Sequence, residues 1–426
     1  MIRCGAAEAD ITPLPGPVLQ GHWSTNPSHS VLYPLEVRAV VFEQDGTRVA
    51  IATLDVIGVT AETTARIRER VEAACGVAGE GVMVACSHTH CAPAALPSLG
   101  MAPPDGWMER IEEETVGCIA RAAALLQPVT FGVGCGSVHF NISRRPLPNT
   151  SGMALNHGAI VDRRARVLRV EGKDGRPVAV LFHYSCHTTA KSGSEGYISP
   201  DYAGVARRVI EERLGCKALF LAGCFGNIRA AIVSETGGFG SATEEQLDEI
   251  GGELGSEVCR VAGSLRTRPG IELLSRCRKL EVPFGELDPE EKLREMAGDT
   301  TSDRGRLLTG SWARKVLEMI RTGTVPERKP TEMQFMRVGP LACMTIPGEP
   351  AQEIGHAIEK RLRSEVDAED IWPVGYANDE VGYLCTERHH KEGGYEPNAY
   401  PYYGEPARFK DEERVILETA EALVKG

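Results

Sequence analysis

Two hydrophobic periods take turns along this chain. Short, nearly unbroken apolar runs rich in β-branched residues read as buried strands, and segments with apolar residues three and four apart read as helices. On that basis strands are expected at 37–42, 49–57, 82–86 and 130–140, with helices at 62–74 and 108–126 between them. Residues 166–170 and 178–184 read as a hairpin turned at Lys173-Asp174-Gly175, because Asp-Gly supplies the positive φ such a turn needs. Ser199-Pro200 resembles a cap followed by proline at the first helical position and predicts a helix to about residue 214, followed by a strand at 218–222. Ser241-Ala242-Thr243-Glu244 has the pattern of a capping box opening a helix to about 264. Strands at 333–338, 341–346 and 372–376 alternate with helices at 350–363 and 410–425.

The stretch 283–330 interrupts this alternation. It is the most polar part of the chain and predicts two surface helices, 289–296 and 306–320, loosely joined around Thr300. No repeat, low-complexity segment or Pro/Ser linker divides the rest, so residues 1–426 read as one domain with an excursion at about 283–330. The fold class is α/β, with mixed β-sheets sandwiched by helices.

Composition narrows the partners. The chain has 426 residues, 42% of them hydrophobic, enough for a large core. Its formal charge of −12, from 59 acidic against 47 basic residues, disfavours nucleic acid or an anionic membrane surface. The best apolar run, 49–59, is broken by Asp55 and too short to span a bilayer, and no apolar leader opens the chain. Thirteen cysteines, an odd number without C-x-x-C spacing, read as reduced thiols of a cytoplasmic protein. The sequence leaves a homo-oligomer open.

Candidate chemistry sits where strands end. The predicted strand 82–86 runs into Ser87-His88-Thr89-His90, where strand alternation would send both imidazoles to one side. A second strand ends at His187, beside His183, which reads as a core histidine satisfied by a backbone carbonyl. A third candidate, Glu349 in Pro347-Gly348-Glu349-Pro350, sits on a tight turn between a strand and a helix whose first position is proline. Neutral imidazoles plus one carboxylate form a ligand set that suits zinc, and three protein ligands with one open position are the catalytic arrangement. Asp55, inside an apolar strand, leans towards partnering a histidine. The loop Gly237-Gly238-Phe239-Gly240 reads as a plain connection rather than a phosphate cradle.

Five segments in order resemble the N-terminal catalytic domain of the neutral/alkaline ceramidase family: 5–13, Ser87-His88-Thr89-His90, Asn141-Ile142-Ser143-Arg144, Pro347-Gly348-Glu349 and Gly375-Tyr376-Ala377-Asn378. The resemblance implies that His88, His187, Glu349 and Tyr383 hold a zinc ion, and that His90, Arg144 and Tyr395 face the scissile amide. It also implies that Gly223-Cys224-Phe225-Gly226-Asn227 lines the site. The chemistry implied is attack of zinc-activated water on an amide carbonyl, with Arg144 and Tyr395 stabilising the oxyanion and His90 relaying a proton to the leaving nitrogen.

Family ceramidases are generally exported and carry a C-terminal β-sandwich, neither of which this sequence displays. The expected substrate is therefore a small soluble amide, N-acyl amine or related ester rather than ceramide. Two rival readings remain: a cysteine nucleophile, Cys224 or Cys91, and a metal-dependent isomerase or non-catalytic binding protein using the same pocket.

Overall fold

The computed structural model describes residues 1–22, 24–97, 101–146, 152–299 and 304–425. Its largest sheet is built from β1 (Arg3–Asp10), β2 (Glu36–Gln44), β3 (Thr47–Leu54), β4 (Val82–Cys86), β5 (Gln127–Ser137), β6 (Arg164–Gly172), β7 (Pro177–Tyr184) and β8 (Lys217–Ala222). Their spatial order is β8-β7-β6-β5-β1-β2-β3-β4. Only the β3–β4 and β7–β8 pairs are parallel, so the sheet is mixed. A second sheet runs β9 (Leu273–Pro283), β10 (Arg328–Val338), β11 (Leu341–Thr345) and β12 (Asp370–Val374) in sequence order.

The two sheets pack face to face, and each is covered on its outer side by helices. Within β4, Val82, Val84 and Cys86 point into the core shared with α1 (Ala61–Cys75), α2 (Trp107–Ala124), α3 (Asp201–Leu214) and α4 (Glu244–Ser264). Met83 and Ala85 point the other way, into an inter-sheet core with Val338, Cys343, Trp372 and Val374. Burial on both faces is why these strands read as unbroken apolar runs rather than as alternations. The outer face of the second sheet, with Phe335, Ala342 and Met344, packs on α7 (Gln352–Leu362) and α9 (Glu412–Lys425). The result is four layers, helix–sheet–sheet–helix, as the α/β reading with mixed sheets between helices expects.

The excursion contains α5 (Glu290–Gly298) and α6 (Arg304–Thr322), which build a small cluster around Leu293, Trp312 and Val316. The connection expected around Thr300 lies outside the described residues. Trp312 packs edge-on against Tyr400, and its indole N–H donates to the Glu405 carbonyl at 2.7 Å. The excursion thus props the tyrosine-rich segment that follows α8 (Glu387–Glu392). Among the described residues no helix is long and apolar enough to cross a membrane.

Several local expectations differ from the structure. The capping box of α4 is Thr243 with Gln246, two residues beyond the Ser241–Glu244 pattern, because Thr243 is the last residue with extended backbone. Helix α3 begins at Asp201 with Pro200 as its cap residue, and Pro350 lies in a two-residue strand, Glu349–Pro350, before α7 begins. Strands β1 and β9 escaped the pattern, since β1 is built from small residues and β9 from charged ones on a half-exposed edge.

Candidate active site

Asn378 sets up the site. Its side chain accepts from Val84 N and donates to Gln334, while its backbone N–H donates to Val84 O, so it extends the pairing of β4 just before the chain turns away. The turn itself requires His88 in the left-handed region, at φ 62. His88 and His90 therefore converge from a loop beyond the strand end. Strand alternation, from which their convergence was expected, is not the cause.

All three candidate histidines are tied in the same way. Nδ1 of His88 donates to Ile57 O (2.6 Å), that of His90 to Gly21 O (2.9 Å) and that of His187 to Phe225 O (2.7 Å). A proton on Nδ1 leaves each Nε2 with its lone pair turned inward. The Nε2 atoms of His88 and His90 are 3.2 Å apart, and the three histidines' ligand atoms all lie within 4.8 Å of one another. Burial, with the neighbouring histidines, pushes the His90 imidazole well below its usual range; burial and the Arg144 charge bring His187 down to about 3. Neutral imidazoles with facing lone pairs repel unless a cation sits between them, so the donor set fits a divalent metal ion.

Glu349 completes the cluster from the turn beyond β11. Its Oε2 lies 3.0 Å from His187 Nε2 and 3.3 Å from His88 Nε2. With the proton of each ring on Nδ1, this oxygen faces two lone pairs and adds a further donor that a cation would draw together. The preceding Gly348 has φ 79, and a Cβ there would meet Gly382 O at 2.4 Å, so only glycine lets the turn close. Glu349–Pro350 then pairs in parallel with Tyr383–Leu384, which makes Glu349 and Tyr383 register partners.

Arg144 is buried, not a surface ion pair. Its Nε donates to Glu396 Oε1 (3.0 Å) and its Nη2 to Gly226 O (2.5 Å) and Tyr383 Oη (2.8 Å), with the guanidinium 5.4 Å from the ring centres of Tyr383 and Tyr395. Burial opposes its charge, but the Glu396 and Glu349 carboxylates hold it well above its ordinary value. Tyr383 and Tyr395 are themselves pushed up, burial being the largest cause, and stay neutral phenols. A cavity of about 40 Å³ brings His88, His90, Glu349, Tyr383 and Tyr395 together.

Four contributors escaped the sequence reading. Tyr403 donates its hydroxyl to Glu349 Oε1. Tyr376 stacks on Phe225 and lies 4.2 Å from the His88 ring, forming the floor. Glu380 lines the cavity, raised well above its ordinary range by burial and by the Glu349 charge. Glu396 holds both Arg144 and Arg145. The family motif around Tyr376 and the Gly394-Tyr395-Glu396 segment could have flagged two of these.

Two expectations are corrected. Asp55 partners no histidine: it takes a bidentate pair from Arg207 (2.8 and 2.5 Å) and accepts from Glu36 N, because β3 ends against α3 rather than against the site. Cys224 lines a separate pocket with Asp162 and His183, and burial raises its thiol far above its usual value; Cys91, equally raised, donates to Lys191 O. Neither is poised as a thiolate. His183, as expected, is a core residue, with Nε2 2.9 Å from Pro373 O.

A four-layer α/β fold with histidines and a carboxylate converging beyond the strand ends is the frame of a hydrolase site whose donor set fits a metal ion. The chain belongs to the neutral/alkaline non-lysosomal ceramidase family, whose N-terminal model matches residues 3–233. That family hydrolyses amide bonds. The chain is similar to the neutral ceramidase of Pseudomonas aeruginosa, at 24% identity over 465 residues that cover 94% of this chain and 69% of the relative. Among solved structures it is similar to neutral ceramidase from Pseudomonas aeruginosa (TM-score 0.75, 19% identity, all of this chain and 74% of the other). It is equally similar to a ceramidase complexed with C2 (TM-score 0.77, 19% identity, all of this chain and 75% of the other). At that identity the two structures establish the fold.

Proposed function

We propose that this protein is a zinc-dependent amidohydrolase acting on a linear amide, a small soluble N-acyl amine or related ester rather than ceramide. The observation that carries the reading is the convergence of three inward-facing Nε2 lone pairs with the Glu349 carboxylate beside the buried Arg144 cation. Held by His88, His187, Glu349 and Tyr383, zinc would supply Lewis acidity and bring the pKa of water down to about 7.

The chain's own groups divide the remaining work. His90, fixed through Nδ1 to Gly21 O, presents Nε2 to take a proton and return it to the leaving nitrogen. Arg144 and the neutral Tyr395 phenol supply donors for the oxyanion, each such contact worth about 2–4 kcal/mol in the transition state. Overall, water adds oxygen to the acyl carbon, the C–N bond breaks, and acid and amine leave.

A small substrate is supported by volume. The cavity at Glu349 measures about 40 Å³ and its neighbour about 230 Å³, both below the roughly 300–1,000 Å³ of pockets for drug-sized ligands. A cytoplasmic location remains part of the proposal, resting on the cysteine usage.

Metal content of the purified protein beside a His88→Ala, Glu349→Ala double variant tests the reading. We expect about one zinc per chain, lost in the variant together with hydrolysis of N-acyl amines. No metal in either protein would sink it. Inactivation by iodoacetamide but not by a chelator would move the cysteine reading forward, and ligand retention without product would favour a binding protein.

A further inference from the structure

Beside the candidate metal cluster lies a second cavity of about 230 Å³, and the two share Gly21, His90, Tyr383 and Tyr395 in their walls. A substrate whose amide sat at His90 and Tyr395 would put one half in each. The halves would meet different chemistry. The smaller cavity holds the candidate ligands His88 and Glu349, with Ile57 and Leu96 as its aliphatic wall; the larger is walled by three cationic side chains, Arg144, Lys191 and Arg229. On a chain of net charge −12 such a concentration of positive charge is a local arrangement.

The three cations are not equally satisfied. Arg144 has Glu396, and Lys191 has Glu195 at 2.6 Å and the Ala242 carbonyl at 3.0 Å. Arg229 has no such partner: among the described residues no carboxylate lies within 4.0 Å of its guanidinium, and residues 147–151 contain no acid. It donates Nη2 to Thr189 O (3.1 Å) and lies 4.7 Å from the Phe239 ring centre, while its Nε is buried without a partner. Thr189 Oγ1, in the same wall, is also buried and unpartnered. The position of Arg229 is fixed by backbone: the strand Ile228–Ala230 pairs with Asn141–Ser143 on one side, and Arg229 bridges His187 on the other. The sequence reading passed over it.

We propose that Arg229 and Thr189 form an anion subsite for a carboxylate on the leaving amine, which makes N-acyl amino acids the substrate class. This rests on the amidohydrolase reading above. The guanidinium fork and the adjacent hydroxyl match a carboxylate's two oxygens, and His90, shared by both cavities, stands where the nitrogen between the acyl and amino-acid halves would lie. Hydrolysis of such a substrate consumes one water and releases a carboxylic acid and a free amino acid.

A matched pair of probes, N-hexanoylglycine and N-hexanoylethanolamine, differs only in carboxylate against hydroxymethyl. With zinc-loaded wild-type protein we expect kcat/KM to favour the glycine amide by about 100-fold. Arg229→Met should remove that preference through KM while leaving the ethanolamide within about threefold, and Arg229→Lys should restore part of it. N-hexanoylglycine should also raise the unfolding temperature of wild type but not of Arg229→Met, a readout that needs no turnover. Equal rates on both probes, or an equal loss on both in Arg229→Met, would overturn the subsite. If neither amide is cleaved but Arg229-dependent binding persists, the subsite stands and the hydrolase reading falls.

Discussion

Tyr403 hydrogen-bonds the candidate metal cluster through Glu349, whose Oε1 accepts the phenol while Oε2 faces His88 and His187. A hydrogen bond to the outer oxygen of a ligating carboxylate fixes its rotamer, and losing such a partner typically costs about 10–100-fold in metal affinity. Tyr403→Phe keeps the ring that covers Gly382 and removes only the hydroxyl. We expect zinc affinity in a chelator competition to fall by that factor with the unfolding temperature nearly unchanged; unchanged affinity would show that Glu349 needs no such partner. The residues with motif neighbours, His88, His90, Arg144 and Glu349, were legible in the sequence because their local backbone demands leave a signature, as Gly348 does before Glu349. Tyr403 and Arg229 were not legible, since each meets the site through contacts distant in sequence and has no local pattern of its own.

At the scale of elements, His183 shows how the sheets are joined. It sits on β7 of the first sheet and bonds Pro373 O on β12 of the second, with its other ring nitrogen buried and unpartnered. Burial and the nearby Arg166 charge bring its pKa from 6.5 to about 4. The folded state therefore binds fewer protons than the unfolded one between those values. Stability from this group is complete above pH 6.5, declines as pH falls to about 4 and is flat below, a loss of about 3 kcal/mol at most. His183→Gln, which keeps an N–H donor but cannot be protonated, should flatten that part of the profile in urea unfolding at pH 4.5, 5.5 and 6.5; an unchanged slope would count against the assignment. Elements with continuous apolar runs, such as β3, β4, β7 and β8, were readable because both faces are buried. Strands β1 and β9 were not, because alanine, glycine and charged residues at sheet positions have no distinctive period.

Across the whole molecule, the candidate metal cluster joins two parts of the chain. His88, His90 and His187 belong to the region the family model covers, residues 3–233, whereas Glu349 follows β11 and Tyr383 and Tyr403 follow β12 of the second sheet. The contact between these parts is made by the inter-sheet core and, at its edge, by Glu349 against two imidazoles. A metal ion at that edge would stabilise the folded chain by about 2.7 kcal/mol at a hundredfold excess over its Kd, roughly 3–5 °C in unfolding temperature for a chain of this size. The stabilisation should be local. The turn at Gly348–Glu349, the Tyr383–Leu384 strand and the Tyr395–Tyr403 segment are held by two-residue strands and side-chain contacts at the site, while β2, β3 and α2 lie in the large core. Hydrogen exchange with and without chelator should therefore accelerate in the three C-terminal segments and stay unchanged in β2, β3 and α2. Uniform acceleration would mean that the metal supports the global fold, and no change anywhere would mean that nothing binds between the two parts, because charge neutralisation at Glu349 cannot occur without reaching the turn that carries it.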